Sequence, residues 1–267
     1  MPRPAVTVAV QAARSAGRII LRYMNRLDNI AVVEKQRMDF ASEVDKLAEA
    51  EIIRELRRAN PDYAILAEET GASGKGRMTW VIDPLDGTHN YLRSIPHFCV
   101  SIALLDRGEP IVGVIYDPLR EELFTASKGD GALLNDRRLR VGPRENLSGA
   151  ILATGFPFRQ RAHLAAQLAM TGALLETAED IRRTGSAALD LAYVACGRFD
   201  GMYEIGLKPW DMAAGCLLVR EAAGRFSDFA GRDGLPASGH LLAGSPKLCM
   251  DMVKTIGPHL PPELLKA

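Results

Sequence analysis

The sequence lacks the features that mark membrane proteins, disulfide-rich proteins and zinc proteins. Its four cysteines include no C-x-x-C pair, and its five histidines are scattered, so we expect free thiols and no zinc site. No run of about 18 apolar residues is present, which excludes a membrane span. The N-terminus shows no secretory signal, and we therefore expect a cytoplasmic protein that does not engage a membrane. Lys plus Arg and Asp plus Glu number 33 each, which gives no sign of a polyanion-binding surface.

The composition is that of an ordinary globular protein with one large or two modest domains. Hydrophobic residues make up 47% of the 267 residues and charged residues 25%. A change of pattern near residue 145 predicts two parts: 1–144, with two helices and an antiparallel sheet, and 145–267, where strands and helices alternate. The predicted helices span residues 5–26, 42–59, 162–178, 186–196 and 209–223. The predicted strands include residues 63–67, 98–105, 110–116, 122–126, 149–154 and 199–204.

The most informative stretch is an apolar run that leads into two aspartates. Trp80–Ile82 reads as a buried strand, and because proline cannot continue a central strand, Pro84 predicts that the strand ends near Asp83. Asp83 and Asp86 then lie at the carboxyl end of a strand, where ligands bind in open α/β sheets. Judged from this stretch alone, a solvated Asp-Pro turn remains an equal alternative.

Further acidic residues and a Gly-Thr pair make the pattern more specific. Glu68 ends the preceding predicted strand, and Asp211 opens a helix. Each has an ordinary explanation, as a solvated loop residue and as a favourable charge in a first helical turn. Together with the two aspartates they form a set of hard oxygen ligands, which suits Mg²⁺. If Gly87 and Thr88 open a helix, their amides would also form an anion site for phosphate.

Three separated motifs carry a family resemblance. Glu68-Glu69, Asp83–Thr88 and Trp210–Gly215 resemble, in the same order, the signature motifs of the inositol monophosphatases, over about residues 6–243. The resemblance implies a layered αβαβα sandwich, a mixed α+β and α/β fold. It implies hydrolysis of phosphate monoesters, with myo-inositol 1-phosphate as the best candidate, by water that two or three Mg²⁺ ions activate. Inhibition by Li⁺ and a homodimer are implied as well.

The resemblance also assigns roles to individual residues. The metal ligands that it implies are Glu68, Asp83, the Leu85 carbonyl, Asp86 and Asp211. The catalytic residues that it implies are Glu68, Thr88 and Asp45, with Thr88 orienting the attacking water and Asp45 behind it. The substrate contacts that it implies are Asp86, Gly87, Thr88, Ala187, Glu204 and Asp211.

Two positions depart from the family pattern. Lys35 matches a loop lysine near the ions, but its spacing to Asp39 is one residue shorter than in the animal enzymes, which leaves its role open. His89 stands where threonine is commoner, and we expect a modest effect because it follows the phosphate-binding pair.

Other phosphate chemistries are less consistent with the motifs. Phosphatases that form an aspartyl-phosphate use D-x-D-x-T, whereas Asp83 and Asp86 are three residues apart around a proline, which favours attack by water. The stretch 71–77 lacks the Lys-Ser/Thr pair of a nucleotide-binding P-loop. Relatives with the same metal motifs act on other sugar and nucleotide phosphates, so the substrate stays open.

A binding role is the alternative from a different class of function. Bacterial members of this family have been linked to transcription antitermination, which implies contact with RNA polymerase or an antitermination factor. A basic patch for such a partner could come from two arginine clusters, Arg54, Arg57 and Arg58, or Arg137, Arg138 and Arg140. An ordinary solvated face is the favoured explanation of both clusters.

Overall fold

The computed structural model describes residues 4–24, 32–36 and 39–266, without the side chains of residues 32–36 and 39–41. The helices are α1 (Pro4–Met24), α2 (Glu43–Ala59), α3 (Thr88–Leu92), α4 (Leu164–Leu175), α5 (Ala187–Ala195), α6 (Pro209–Glu221) and α7 (Pro246–Ile256). The first strands are β1 (Val32–Gln36), β2 (Asp39–Ser42), β3 (Ala64–Ala67), β4 (Gly71–Ser73), β5 (Met78–Asp86), β6 (Cys99–Asp106), β7 (Glu109–Asp117) and β8 (Glu122–Ser127). The remaining strands are β9 (Gly131–Leu134), β10 (Arg137–Arg138), β11 (Ile151–Thr154), β12 (Asp180–Arg182), β13 (Gly201–Glu204), β14 (Arg225–Ser227) and β15 (Leu241–Gly244).

Two large sheets form the frame of the molecule. The first has eight strands in the order β10-β9-β8-β7-β6-β5-β3-β4, all antiparallel neighbours except the parallel pair β3 and β5. The second has five strands in the order β12-β11-β13-β15-β14, in which β11 runs parallel to both β12 and β13. The predicted boundary between residues 144 and 145 falls between the two sheets, and the division into two domains stays a prediction.

Helices cover and separate the two sheets, which confirms the predicted αβαβα layering. Helices α1 and α2 pack on one face of the eight-stranded sheet through residues such as Ala12 and Ile52. Helices α5 and α6 lie between the sheets, where Leu191 and Leu217 belong to a core that reaches both. Helices α4 and α7 cover the outer face of the five-stranded sheet. The central helix layer therefore contacts both sheets, and the two sheets share one hydrophobic core.

Most predicted elements are present, with shifts at their ends. Ser42 and Asp45 form a capping box at the start of α2. The helix predicted over 162–178 is shorter, with α4 preceded by a 3₁₀ turn over Arg161–His163. The stretch 71–77 begins with β4, which pairs antiparallel with β3. Within the described residues, no helix is long and apolar enough to cross a membrane.

The prediction that the strand ends near Asp83 is wrong, and the reason determines the geometry of the site. Strand β5 continues to Asp86, with Asp83 opposite Ser101 of β6 and Asp86 opposite Cys99. Three residues along β5 therefore correspond to two along β6, an irregularity called a β-bulge. Bulges are among the few places where a paired strand tolerates proline. Because side chains alternate along a regular strand, residues three apart would point to opposite faces. The bulge turns both aspartates toward the same face.

Candidate active site

Four carboxylates from three separate segments line one open cleft. Glu68 follows β3, Asp83 and Asp86 come from the bulged end of β5, and Asp211 lies in the first turn of α6. The cleft spans about 900 Å³ of space, which includes the open solvent at its mouth. It also contains the other predicted metal and substrate residues, namely Leu85, Gly87, Thr88, Ala187 and Glu204. Asp45 does not line the cleft but contacts Thr88, which does. The side chain of Lys35 lies outside the described part of the chain.

The parallel pairing of β3 and β5 places Glu68 beside Asp83. The backbone amide of Glu68 donates to the Ile82 carbonyl at 3.1 Å, which extends the pairing to the residue next to Asp83. Buried Glu49 of α2 then accepts from the amides of Glu69 and Thr70 at 2.8 and 2.9 Å. These hydrogen bonds fix the loop after β3, and the position of Glu68 is therefore determined by the backbone on both sides.

Asp86 joins the first sheet to the central helix layer. Its Oδ2 accepts from the Ser186 hydroxyl at 2.6 Å and from the Ala188 amide at 2.8 Å. Both donors lie at the N-terminus of α5, where backbone amides and the helix dipole stabilise a negative charge. Asp211 has a similar backbone contact, since its Oδ2 accepts from the Lys208 amide at 2.7 Å.

The electrostatics of the cleft disfavour the simultaneous ionisation of Asp83, Asp86 and Asp211. Burial raises the pKa of Asp83 well above its usual value, and the charges of Glu68, Asp86 and Asp211 raise it further. Burial likewise raises the pKa of Asp86 to about 6 and that of Asp211 to about 7. Like charges held together in a buried site disfavour ionisation unless a positive charge compensates them.

The donor set fits Mg²⁺, which binds a few carboxylate oxygens together with water and phosphate oxygens. In the described residues, no group of three or more His, Cys, Asp or Glu side chains is already arranged to hold a metal ion. The acids thus share a cleft without forming a closed coordination shell among the described residues.

A threonine and a second aspartate lie next to the acids. The Thr88 hydroxyl is 3.0 Å from Asp45 Oδ1 and 3.0 Å from the Leu85 carbonyl oxygen, and its single proton is donated to one of them at a time. Asp45 is buried, and this burial raises its pKa. Its other oxygen, Oδ2, accepts from the Ser42 amide at 2.8 Å as part of the helix cap. Asp45 thus caps α2 through Oδ2 and contacts Thr88 through Oδ1.

Gly87 has a backbone conformation and a packing environment that only glycine satisfies. It precedes α3 with φ of 93°, in the left-handed region. A Cβ at this position would lie 2.9 Å from the His97 carbonyl oxygen and 3.2 Å from the Phe98 Cα. The turn between Asp86 and Thr88 therefore lies directly against the segment that leads into β6.

We predict that Gly87→Ala destabilises the protein far more than Gly108→Ala. Gly108 has nearly the same φ, 87°, but no atom of the described residues lies within 4 Å of the place that an added methyl group would take, so it reports backbone strain alone. We expect about 1–2 kcal/mol for Gly108→Ala and roughly 2 kcal/mol more for Gly87→Ala, because backbone atoms must also shift. Urea unfolding of both variants measures the difference, and equal losses would contradict the steric argument.

Glu204 and Ala187 lie on another part of the cleft wall. Glu204 ends β13, and its carboxylate packs so closely on Gly155 that a Cβ there would lie 2.0 Å from Oε1. Burial raises the pKa of Glu204 well above its usual value, with Asp190 and Asp211 adding to the effect. Ala187 is the first residue of α5, beside the Ser186 that holds Asp86.

The sequence reasoning missed several residues that the structure places in or beside the cleft. Asp190 is buried in α5 and accepts from the Thr184 hydroxyl at 2.6 Å. An acidic residue in an otherwise apolar helix was a usable signal for it. Arg159 lines the cleft 3.7 Å from Glu68 Oε1, and its position after Phe156–Phe158 gave no comparable signal. His89, which the sequence had already placed next to the phosphate-binding pair, lines the cleft as well, with its ring edge-to-face with Phe158 at 6.1 Å.

Comparison with known proteins identifies the family. The model of the inositol monophosphatase family matches residues 1–257. Nus factor SuhB from Xylella fastidiosa is 56% identical over 262 residues, which cover 96% of this chain and 95% of the relative. The extragenic suppressor protein suhB from Bartonella henselae has a TM-score of 0.92 at 41% identity, covering 95% of this chain and 98% of that chain.

A further structural neighbour carries the family name itself. The inositol monophosphatase from Anabaena (Nostoc) sp. PCC 7120 has a TM-score of 0.85 at 38% identity, covering 96% of each chain. These similarities span nearly the whole chain, including all segments that build the cleft. This chain belongs to the inositol monophosphatase family, a family of phosphatases.

Proposed function

We propose that this protein is a Mg²⁺-dependent phosphatase that hydrolyses phosphate monoesters, with myo-inositol 1-phosphate as its substrate. The observation that carries the proposal is the set of four carboxylates in one cleft, next to the Gly87-Thr88 turn. Burial and neighbouring negative charges raise the pKa values of three of them, Asp83, Asp86 and Asp211. A divalent cation relieves that repulsion, and a phosphate ester supplies the remaining oxygen ligands.

The proposed ligands are those that the family resemblance implies, and all of them line the cleft. Glu68, Asp83 and the Leu85 carbonyl would hold one ion, and Asp86 and Asp211 would share a second with Asp83. Mg²⁺, when bound, supplies positive charge to the phosphate and lowers the pKa of a coordinated water. The proposal includes two or three Mg²⁺ ions in the site and inhibition of the phosphatase activity by Li⁺.

The protein's own groups position the reactants. The Thr88 hydroxyl, which donates a hydrogen bond to Asp45 at 3.0 Å, accepts a hydrogen bond from the attacking water and so orients it. Gly87 and Thr88 line the cleft, and their backbone amides would hold the phosphate oxygens. Glu204 and the Ala187 backbone bind hydroxyl groups of the alcohol that leaves.

A phosphate-release screen tests both the activity and the substrate. We expect turnover of myo-inositol 1-phosphate to exceed that of fructose bisphosphate, a nucleotide bisphosphate and histidinol phosphate. Glu204→Gln should raise KM for the inositol ester about tenfold with a smaller change in kcat, because a lost hydroxyl contact costs about 1–2 kcal/mol. Li⁺ at millimolar concentration should inhibit. Preference for another ester would change the substrate assignment to that ester. The absence of phosphate release from all of these esters would contradict the proposed activity.

A binding role in transcription antitermination is a second candidate, supported by the relatives that carry the name Nus factor. The first arginine cluster gives it little support, because Arg54 pairs with Glu51 at 2.7 Å and Arg58 pairs with Glu55 at 2.7 Å. We predict that Asp83→Asn, which removes catalysis, still captures RNA polymerase or an antitermination factor in a pull-down. Loss of capture together with activity would show that the two roles are not separable.

We also propose that the protein forms the homodimer that the family resemblance implies. Helix α4 contains no charged residue, and Leu164, Leu168 and Leu175 are exposed on it. A surface helix normally carries polar residues on its solvent face. A second copy of the chain is the occupant that would remove this apolar surface from water.

A further inference from the structure

Arg159 is a cation placed among the acids of the cleft. Its guanidinium lies 3.7 Å from Glu68 Oε1, with 24% of the arginine side chain and 12% of the glutamate side chain exposed. The same positive charge acts against burial on the pKa values of Asp86 and Asp211, which it lowers. One arginine thus acts electrostatically on three of the four carboxylates that we propose as metal ligands.

The segment that carries Arg159 is built to hold it there. The Phe158 amide donates to the Phe156 carbonyl at 2.7 Å, and the Gln160 amide donates to the Pro157 carbonyl at 3.0 Å, which closes a compact turn. The Arg159 guanidinium stacks on the Phe158 ring at 4.7 Å. Phe158 in turn packs edge-to-face on His89, the residue after the Gly87-Thr88 turn. The arginine is therefore fixed on the side of the cleft where phosphate would sit.

From this placement we propose that Arg159 is a phosphate-binding residue that exchanges its contact with Glu68 for the phosphate oxygens when the substrate binds. The inference rests on the proposed function. Divalent cations bound to the carboxylates would replace the guanidinium as the positive charge next to Glu68. The dianionic phosphate would then be the strongest hydrogen-bond acceptor near Arg159. A guanidinium binds phosphate through two parallel hydrogen bonds, which a lysine ammonium cannot reproduce.

The proposal makes opposite predictions for the two ligands. Removing the positive charge from Arg159 should tighten Mg²⁺ binding, because the ion no longer competes with, or is repelled by, the guanidinium. It should weaken phosphate binding, because two charge-assisted hydrogen bonds are lost. A residue with a purely structural role in the loop would weaken both or neither.

The test uses Arg159→Gln, Arg159→Lys and the matched control Arg161→Gln, an exposed arginine two residues along that does not line the cleft. Titration calorimetry measures Mg²⁺ binding without phosphate, and then binding of inorganic phosphate at saturating Mg²⁺. For Arg159→Gln we expect Mg²⁺ to bind at least about threefold tighter and phosphate at least about tenfold weaker. Arg159→Lys should restore part of the phosphate affinity, and Arg161→Gln should match the wild type.

The outcomes separate this inference from the proposed function. Phosphate affinity of Arg159→Gln within twofold of the wild type would overturn the role of Arg159 and leave the metal-dependent phosphatase intact. Absence of Mg²⁺-dependent phosphate binding by the wild type would overturn the proposed function, and this inference with it. Weaker binding of both ligands by a folded Arg159→Gln protein would indicate a structural role and also overturn the inference.

Discussion

Asp83→Asn is expected to abolish Mg²⁺-dependent phosphate release while making the metal-free protein more stable. Asp83 is the carboxylate on which burial and the charges of Glu68, Asp86 and Asp211 all act, and we propose that it bridges two ions. Its loss should reduce kcat/KM at least about 10³-fold, because one substitution removes a ligand from both ions. Asparagine can still accept the Leu85 amide, which now donates to Asp83 Oδ1 at 3.0 Å, so the local turn is kept.

The gain in stability follows from the same charges. Removing one of several repelling carboxylates should stabilise the metal-free protein by about 1–2 kcal/mol, measured by thermal or urea unfolding after treatment with a chelator. Substantial turnover by Asp83→Asn, or a lower stability without metal, would contradict the assignment of Asp83.

The chain contains its own matched control for this experiment. Asp117-Pro118-Leu119 repeats the Asp-Pro-Leu order at the end of β7, and the Leu119 amide donates to Asp117 Oδ1 at 2.9 Å. Asp117 is equally buried but pairs with Arg120 at 2.8 Å instead of with other acids. Asp117→Asn should therefore lower the stability, because it leaves Arg120 without its buried partner, and should keep metal-dependent turnover below the unfolding temperature. Asp83→Asn is thus expected to raise the stability and abolish turnover, whereas Asp117→Asn is expected to lower the stability and keep turnover.

The metal-free protein should lose stability as the pH rises from 6.5 to 8. A carboxyl group whose pKa is raised by folding binds more protons in the folded state than in the unfolded state, so its contribution is complete at low pH and is lost as the pH rises through the folded-state pKa. Asp211 has a pKa of about 7 in the folded protein, and those of Asp83 and Glu204 are raised well above their usual values. The loss over this window should be on the order of 1–3 kcal/mol.

The lower limit of the window is set by the histidines. Burial lowers the pKa of His97 and of His240, so protonation of the unfolded chain opposes folding once the pH falls below the ordinary histidine value. Above pH 6.5 this opposing effect is small, and the carboxylates dominate. Unfolding of the chelator-treated protein at several pH values measures how the free energy of unfolding changes with pH. Mg²⁺ at about 10 mM or more should reduce this change and raise the stability at pH 8, because the ion binds the folded protein. Stability that rises with pH in the absence of metal would contradict the repulsion among the acids.

The sequence allowed the chemistry of the cleft to be predicted better than its geometry. The residue types and their periodicity placed acidic residues at the ends of two neighbouring strands, with Asp83 and Asp86 three residues apart. The αβαβα layering followed from the family resemblance. The path of β5 through Pro84 did not, because a bulge depends on the register with β6, which no local rule for proline contains. The bulge is what brings both aspartates to one face.

Contacts between distant segments explain the other omissions. Asp86 is held by the N-terminus of α5, a hundred residues away in the chain. Glu49 appears in the sequence as one of several acids on α2, and only the position of the loop after β3 shows that it accepts two amides there. Arg159 reaches Glu68 through a turn whose placement depends on the second sheet. These positions require the tertiary structure, because the partners share no local pattern.

The central claim is that Glu68, Asp83, Asp86 and Asp211 form a divalent-cation site. Anomalous diffraction from crystals soaked with Mn²⁺, used as a heavier substitute for Mg²⁺, tests it most directly. We expect anomalous peaks within about 2.5 Å of the Asp83 carboxylate oxygens, shared with Glu68 on one side and with Asp86 and Asp211 on the other. Crystals of Asp117→Asn should show the same peaks, and Asp83→Asn should lose them. A wild-type cleft without a peak between these carboxylates at millimolar Mn²⁺ would contradict the claim.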